Sequence, residues 1–318
     1  MPDSLYMERK RGALAALSIE LAETIARQLQ IEGDFASSVP GLHLYRRHTP
    51  AVTACHVYEP AFAVVAQGAK TIEVGGELIP FGEVSWLLTP LHVPAISRIT
   101  KASPQRPYLA CAVLLDMQVA REMVTEVEAT PGDESVKGLA VTTGPMTVEL
   151  LDAVLRMVRL NENQRDIPVL SKLLQREICY RLVSSAHAGV IRQIITAGSQ
   201  SQRVARAVDW LRVNFRDPLR VEDLAQHAHM GVSTLHHHFR EMTGSSPLQF
   251  QKQLRLFEAQ RLMLMDGMDS ASAAFATGYE SATQFSREYR RQFGQPPRKD
   301  VVALKGAEVS ACAGEQEL

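Results

Sequence analysis

The sequence predicts an α+β protein with two domains, an antiparallel β sandwich or small barrel with flanking helices and then an all-α domain. Three observations lead to this prediction. The length of 318 residues suits about two domains. Short apolar runs separated by Gly and Pro fill residues 40–125, whereas residues 203–300 have helical periodicity almost throughout. One residue pattern also occurs twice within the helical region.

The composition excludes several classes of protein. Lys and Arg number 34 against 35 Asp and Glu, and the formal net charge of −1 excludes a uniformly basic coat for nucleic acid. The apolar runs are far shorter than the ~20 residues of a membrane helix, and residues 1–12 lack the apolar core of a secretory signal. Four widely spaced cysteines without a C-x-x-C pair indicate a reduced, cytoplasmic protein.

The N-terminal region begins with a predicted amphipathic helix within residues 1–35 and continues with short strands. The helix has apolar residues at steps of three and four, namely Leu14, Leu17, Leu21, Ile25 and Leu29. The predicted strands lie at 52–57, 61–66, 70–74, 83–88 and 109–115. Turn signals separate them, among them Gly75-Gly76, which suits a hairpin. A connector is expected at 130–141.

Two predicted helices at 146–160 and 168–183 follow the strands, and a polar linker follows at 197–202. These helices form dimer and coupling contacts, or they cover the barrel within one protomer; the sequence leaves both open. The predicted boundaries give a strand-rich N-terminal domain, a helical coupling or dimerisation segment with its linker, a repeated helical domain and a flexible tail, at residues 1–142, 143–200, 201–300 and 301–318.

The repeat in the C-terminal third places equivalent residues 50 positions apart. The matching pairs are Leu235 and Phe285, Phe239 and Tyr289, Arg240 and Arg290, and Gly244 and Gly294. Each copy is preceded by a short helix of small residues and a tight turn. This arrangement predicts a helix-turn-helix, whose second helix enters the major groove of DNA. An ordinary helical bundle is the alternative, but two copies in register argue against it.

The outward face of each second helix provides the candidate DNA contacts, because its apolar seam is turned inward. In the first copy these are Ser233, His236, His237 and Arg240, and in the second Thr283, Ser286, Arg287 and Arg290. Arginine can bind guanine with two hydrogen bonds, whereas His, Ser and Thr are less selective. Arg291 is better placed for phosphate. Because histidine titrates near pH 6.5, the histidines predict tighter DNA binding toward pH 6.

These residues resemble the AraC/XylS family of bacterial transcription regulators. The likeness covers about 100 residues and is carried by 248–264 (LQFQKQLRLFEAQRLML) and 278–294 (GYESATQFSREYRRQFG). The N-terminal region is similar to the cupin-like effector domain of one subgroup. That similarity rests on residues 57–60, 65–70, 102–109 and 176–182.

The resemblance implies a cytoplasmic, sequence-specific regulator with a cupin-like antiparallel β-barrel that senses a small molecule, and two helix-turn-helix motifs joined by a long helix. The implied partners are promoter DNA, an unidentified effector and a second copy of the chain, with RNA polymerase as a further candidate. No cofactor is expected. Two departures stand out: Gly231 and Val232 replace a Ser-type helix cap, and Asp300 occupies a position where relatives often have Arg.

A cupin-type enzyme with a DNA-binding tail is the alternative function. Metal-dependent cupins need clustered histidines and a carboxylate, whereas the N-terminal histidines occur singly, at His43, His48, His56 and His92. His236, His237 and His238 are each turned ~100° from the next on a helix, so the three cannot all bind one metal. We therefore expect neither a metal site nor an enzyme.

Three residues of the predicted barrel are candidates for effector or redox sensing: Cys55, Tyr58 and Cys111. Cys55 precedes Tyr58-Glu59-Pro60 on a predicted strand, where His56 or an arginine could activate its thiol. The simpler interpretation makes each cysteine a small buried hydrophobic residue. The sequence leaves this choice open.

Overall fold

The computed structural model describes residues 2–52, 56–127, 138–185 and 187–313. Its N-terminal part is an antiparallel β domain with helices, and its C-terminal part is helical, which confirms the predicted fold class. The strands are β1 (Gly33–Ala36), β2 (Leu42–Arg47), β3 (Ala51–Val52), β4 (His56–Tyr58), β5 (Ala61–Gln67), β6 (Ala69–Val74), β7 (Glu77–Gly82), β8 (Ser85–Thr89), β9 (Val93–Lys101), β10 (Tyr108–Leu114) and β11 (Thr142–Pro145).

The helices fall into two groups. Those of the N-terminal part are α1 (Pro2–Gln28), α2 (Met117–Glu126), α3 (Val148–Leu160), α4 (Ile167–Val183) and α5 (Gly189–Ile195). Those of the C-terminal part are α6 (Gln200–Asn214), α7 (Val221–His227), α8 (Val232–Thr243), α9 (Pro247–Met265), α10 (Ser270–Ala276), α11 (Ala282–Phe293) and α12 (Pro297–Ala313). No helix in the described ranges combines the length and the apolar character needed to cross a membrane.

The strands form two antiparallel sheets. One has the order β1-β2-β10-β5-β8-β11, and the other has β3-β9-β6-β7 with β4 also paired to β9. Residues of β5 and β10 alternate between the two faces of the first sheet, as strand geometry requires. Phe62 and Leu109 pack with the N-terminal helices, whereas Val65 and Tyr108 face the second sheet. The space between the sheets therefore belongs to the interior of the barrel.

The predicted strands are present with shifted bounds, and several further strands appear. The run at 52–57 is divided between β3 and β4, and residues 53–55 between them lie outside the described residues. The strands β1, β2, β7, β9 and β11 were not predicted. Most of the expected connector at 130–141 also lies outside the described residues. Helix α12 continues to Ala313, and so extends into residues 301–318, where a flexible tail is expected.

Helix α3 covers the first sheet within one protomer. Eight of its 13 residues are buried, among them Val154 and Met157 at 0% exposure, and they pack with Phe62 and Trp86 of the sheet. Helix α1 joins the same core through Leu21. Helix α4, in contrast, exposes one face to solvent, which includes Val169, Leu173 and Tyr180. The two predicted helices thus have different surroundings: α3 buries most of its residues and exposes Arg156 and Arg159, whereas α4 has an exposed apolar face.

The first helix-turn-helix shares a hydrophobic core with the barrel, whereas the second has its own. Leu235 and Phe239 of α8 belong to the same cluster as Phe81 and Tyr108 of the barrel. Phe285 and Tyr289 of α11 pack instead with α9 and α10, and among the described residues the barrel contributes just Ile96 to the buried part of their cluster. The first unit is therefore the one that is continuous with the barrel.

Candidate DNA interface and effector cavity

The two candidate reading helices, α8 and α11, have the same pattern of burial. Leu235, Phe239, Phe285 and Tyr289 are all 0% exposed, so both seams face inward as the repeat predicts. The candidate contact residues lie on the outer faces. His236 and Ser286 are partly buried, and the exposed ones are Ser233, His237, Arg240, Thr283, Arg287, Arg290 and Arg291. The structure thus brings each predicted stripe together on one exposed helix face.

Helix capping differs between the two units. Gly231 provides no side-chain cap to α8, whereas the Ser281 hydroxyl accepts a hydrogen bond from the Gln284 amide at the start of α11. Both helices end at a glycine in the left-handed region, Gly244 at φ 71° and Gly294 at φ 80°. Glycine suits these positions because it has no Cβ to clash there.

Asp300 forms internal hydrogen bonds. Its Oδ2 accepts from the Tyr289 hydroxyl at 2.7 Å and from Gln260 Nε2 at 2.7 Å. This carboxylate therefore joins α11, α9 and α12. In the first unit the residues 50 positions earlier are Phe239 and Phe250, whose rings pack edge to face with centroids 5.3 Å apart. One pair of repeat positions thus has a polar contact in one unit and an aromatic contact in the other.

Arg255, on the connecting helix α9, joins several parts of the C-terminal domain. Its guanidinium donates to the carbonyl oxygens of Phe215, Arg216 and Asp217, at 2.6–3.0 Å, and to that of Gly278 at 2.8 Å. The first three carbonyls follow α6, and Gly278 lies in the turn between α10 and α11. The guanidinium fork suits such convergent acceptors. Arg255 therefore fixes the connecting helix to both units.

The histidine triplet of α8 divides as helix geometry predicts. His238 Nδ1 lies 3.3 Å from a Glu241 carboxylate oxygen, and the rings of His237 and His238 are 5.0 Å apart. Donor atoms of His237, His238 and Glu241 lie within 4.8 Å of one another. His236 does not belong to this group. The three histidines therefore do not converge on one point. His237 lies on the predicted DNA-contacting face of α8 and is also close to the Glu241 carboxylate.

A backbone contact joins the barrel to the first unit. The turn between β6 and β7 places Gly75 against Gly244, and a Cβ on Gly75 would lie 2.4 Å from the Gly244 Cα. Beside it, the Ala140 amide donates to the Met242 carbonyl at 2.8 Å. His92 Nδ1 also lies 3.2 Å from Asp209 Oδ1 of α6. The C-terminal end of the first reading helix is therefore seated directly on the barrel.

A cavity of about 320 Å³ lies inside the barrel, with strands of both sheets in its wall. Its lining is largely apolar, but Lys70 of β6 enters it from the wall. The Lys70 ammonium donates to the Tyr58 hydroxyl at 3.2 Å. It also lies 5.4 Å from the ring centre of Tyr58 and 5.3 Å from that of Phe81. Such a volume is at the small end of the range for small-molecule sites, roughly 300–1,000 Å³.

The predicted sensing residues have different positions relative to this cavity. Tyr58 and Cys111 line it, whereas Cys55 lies outside the described residues. Burial raises the pKa of the Cys111 thiol to about 12, which disfavours the reactive thiolate. Burial likewise raises the pKa of Tyr108 to about 12, so its phenol is neutral near pH 7. The Cys111 side chain packs with Leu109 on the helix side of the first sheet, so the cavity offers neutral hydroxyls near one ammonium and no thiol from Cys111.

Lys70 is not among the predicted site residues, although the sequence of β6 indicates that its side chain points into the barrel. Lys70, Ile72 and Val74 occur at alternate positions, and the latter two are buried. Because alternate side chains of a strand share a face, a lysine in phase with two buried apolar residues predicts a cation in the interior. The contact between Gly75 and Gly244 carries no such local signal, because it joins residues from distant parts of the chain.

Two family models match the chain. One, described as an AraC-type transcriptional regulator N-terminus, matches residues 38–190, and the other, a helix-turn-helix domain, matches residues 224–300. The activator RhaS of Pectobacterium carotovorum is 29% identical over 106 residues, which are 33% of this chain and 38% of RhaS. The regulator ArgR of Pseudomonas aeruginosa is 28% identical over 109 residues, 34% of this chain and 33% of ArgR.

The sequence matches thus span only a little over a third of these relatives. A likeness in fold extends further: the structure of ToxT from Vibrio cholerae with an unsaturated fatty acid bound gives a TM-score of 0.54 at 10% identity. That likeness covers 83% of this chain and 95% of ToxT. Residues 38–190 thus match the N-terminal domain of AraC-type transcriptional regulators and residues 224–300 match a helix-turn-helix domain, which together are the two parts of an AraC-type regulator.

Proposed function

We propose that α8 and α11 read two successive major-groove segments of promoter DNA. The carrying observation is that both helices expose the same face, with the four candidates of each stripe in equivalent positions. Arg240, Arg287 and Arg290 supply base contacts, and Arg291 binds phosphate. Since the relatives are named as transcription regulators, this function is favoured over the alternative of a cupin-type enzyme.

Footprinting on the region upstream of the chain's own gene tests this proposal. We expect protection of two major-groove segments about one helical turn apart, with affinity that falls steeply as salt rises. Arg287→Ala should weaken binding about ten- to a hundredfold. Arg121→Ala is the control, because it removes an exposed arginine from α2 of the N-terminal part. Equal losses in the two variants would show that only net charge matters.

We propose further that the contact of Gly75 with Gly244 transmits the state of the barrel to the first reading helix. Strand β6 contains both the cavity residue Lys70 and the end that leads into Gly75. A change at the cavity wall therefore has a direct mechanical route to the end of α8. The structure of ToxT with an unsaturated fatty acid bound supports the idea that a protein of this fold takes a small-molecule effector.

Gly75→Ala and Gly76→Ala form a matched pair for this route. Both glycines have positive φ, 60° and 89°, so alanine strains the turn in either position. A Cβ on Gly75 meets Gly244, whereas one on Gly76 has nothing within 4 Å. We expect faster hydrogen exchange of the Ala140 amide in Gly75→Ala alone. Equal exchange in the two variants would remove the contact from the mechanism.

A homodimer is proposed through the open face of α4. Its exposed apolar side chains are Val169, Leu170, Leu173 and Tyr180, at 64, 41, 57 and 44% exposure. Leu173→Glu should shift the sedimentation coefficient to that of a monomer. Val213→Glu is the control, since Val213 is an equally exposed apolar residue on α6. Contact with RNA polymerase is a separate prediction, which transcription in vitro with wild type and Arg287→Ala would test.

A further inference from the structure

The cavity contains a cation without a carboxylate partner. Among the described residues, no Asp or Glu oxygen lies within ion-pair distance of Lys70, whose contacts are the Tyr58 hydroxyl and two aromatic rings. The two acidic residues that line the cavity, Asp34 and Glu59, do not form an ion pair with Lys70. Asp34 pairs with Arg47 at 2.7 Å, and Glu59 is exposed. Lys70 is thus the one lining cation that remains without a counter-ion in the described wall.

This arrangement is costly without a ligand. A lysine ammonium loses hydration when it is enclosed by apolar groups, and an opposite charge is what usually offsets that loss. Ring faces and a phenol oxygen supply only part of the compensation. The fold nevertheless places Lys70 in phase with Ile72 and Val74, so its direction into the barrel is built into β6. An anion in the cavity would complete the site.

Hydroxyl groups near Lys70 are suited to the same anion. The Tyr58 hydroxyl accepts from Lys70, so its own hydrogen is available to a ligand. Tyr45 and Tyr108 also line the cavity, and neither phenol forms a hydrogen bond with another described residue. Three phenol donors around one ammonium match the two oxygens of a carboxylate.

The remainder of the wall limits the rest of the ligand. It is formed mainly by apolar side chains, among them Ala63, Phe81, Leu87, Ile99 and Leu114. With one uncompensated cation, a dianion such as phosphate would leave surplus negative charge against these groups. A single negative charge with a hydrocarbon body satisfies both parts of the wall.

We propose that the barrel cavity binds a small organic monocarboxylate, with its carboxylate on Lys70 and the tyrosine hydroxyls and its hydrocarbon part against the apolar wall. This inference rests on the proposed role of the barrel as the sensor. It assigns Lys70 as a counter-ion and not as a nucleophile that forms an imine with a carbonyl compound. The ring faces and the phenol oxygen favour the protonated amine, which cannot attack a carbonyl.

Calorimetric titration of the full-length protein with octanoate and with octanamide tests the proposal. These probes have the same hydrocarbon chain and differ in charge. Because a charged hydrogen bond contributes about 1.5–3 kcal/mol, we expect octanoate to bind about ten- to a hundredfold more tightly than octanamide. Lys70→Met should abolish that preference and Lys70→Arg should retain it. Lys101→Met, on exposed Lys101 of β9, should bind octanoate like wild type.

Folding is checked in the same variants without ligand. Lys70→Met removes an uncompensated cation, so its thermal unfolding midpoint should equal or exceed that of wild type. Equal binding of octanoate and octanamide, undiminished octanoate binding by Lys70→Met, or competition by inorganic phosphate at equal strength would each overturn the proposal. So would no binding of octanoate, benzoate or phenylacetate, or borohydride trapping of octanal on Lys70. Intact footprinting alongside any of these results would leave the DNA-binding proposal standing.

Discussion

The two helix-turn-helix units have the same internal arrangement, but different parts of the protein lie against them. In both, the reading helix ends at a left-handed glycine whose amide donates to an arginine carbonyl, at 2.9 Å from Gly244 to Arg240 and at 2.8 Å from Gly294 to Arg290. Yet Gly244 is pressed against the barrel, whereas a Cβ on Gly294 would meet nothing within 4 Å. The repeat therefore specifies how each unit packs internally, and the surroundings give each unit its own role.

The interiors also differ at equivalent positions. Phe250 packs on Phe239 in the first unit, and Asp300 bonds to Tyr289 in the second. We expect Phe250→Ala to cost about 3–5 kcal/mol, because it leaves a cavity beneath α8. Asp300→Ala should cost less, about 1–3 kcal/mol, because it removes a hydrogen-bond acceptor and little volume.

Hydrogen exchange of the helix amides measures these two losses separately, since it reports opening of each unit. Asp300→Asn is the control for the second unit, because it keeps an acceptor for the Tyr289 hydroxyl. If Asp300→Ala opened its unit more readily than Phe250→Ala opens the first, the polar contact would be the stronger of the two. The comparison of the interiors would then be reversed.

The reading faces predict unequal contributions to DNA binding. Arg287 and His237 occupy equivalent exposed positions. Fluorescence anisotropy at pH 8 should show a loss of about ten- to a hundredfold for Arg287→Ala. The loss for His237→Ala should be under about threefold, because a neutral imidazole neither neutralises phosphate nor binds guanine in two places.

The histidines of α8 predict tighter DNA binding toward pH 6, so the loss for His237→Ala should be larger at pH 6 than at pH 8. The Arg287→Ala loss should stay constant, because arginine remains charged throughout. A loss for His237→Ala that does not change between pH 8 and pH 6 would remove the histidines from the predicted pH response and leave the arginines of α11 as the main contacts.

The terminal glycines give the next comparison. Alanine in the left-handed region costs roughly 1–2 kcal/mol at either position. Gly244→Ala must in addition displace Gly75, whose Cα lies 2.5 Å from the added Cβ. We therefore expect the thermal midpoint to fall further for Gly244→Ala than for Gly294→Ala. Equal shifts would indicate that the barrel moves away at no cost.

The smallest expected effect concerns the helix starts. Ser281→Ala removes the cap of α11 and should cost about 1 kcal/mol. Gly231→Ser should stabilise α8 by a few tenths of a kcal/mol, because Gly231 has room for a Cβ and ordinary φ of −70°. Chemical denaturation of each variant measures both. If Gly231→Ser destabilised the protein instead, the turn before α8 would require glycine at position 231.

Much of the C-terminal domain could be predicted because its signals are local. The stretch 248–264 lies within the connecting helix α9 (Pro247–Met265), and the inward and outward faces of α8 and α11 follow from a repeat and a helical period. The DNA-contacting residues stay predictions. Their exposure was predictable, but which bases they contact depends on the DNA.

The barrel was harder to predict because short strands depend on their neighbours. Strand β9 contains Pro94, which suggested a turn, yet Pro94 lies opposite Val57 of β4. Strand β7 likewise includes Pro80 and Gly82, and it is specified by its pairing with β6. The cavity residues come from several such strands. Lys70 had a signal in its own strand, because it alternates with buried residues, and Tyr58 and Cys111 were already among the predicted candidates.

Arg255 fixes the position of the connecting helix α9 relative to its neighbours. Because its guanidinium fastens α9 to carbonyl oxygens on both sides, the two reading helices hold a set separation and a set rotation about the DNA axis. One inserted base pair turns the second groove by about 35° relative to the first, and five put it on the opposite side of the duplex. We therefore expect an operator read by α8 and α11, as proposed, to be defined by the phase of its two halves as much as by their bases.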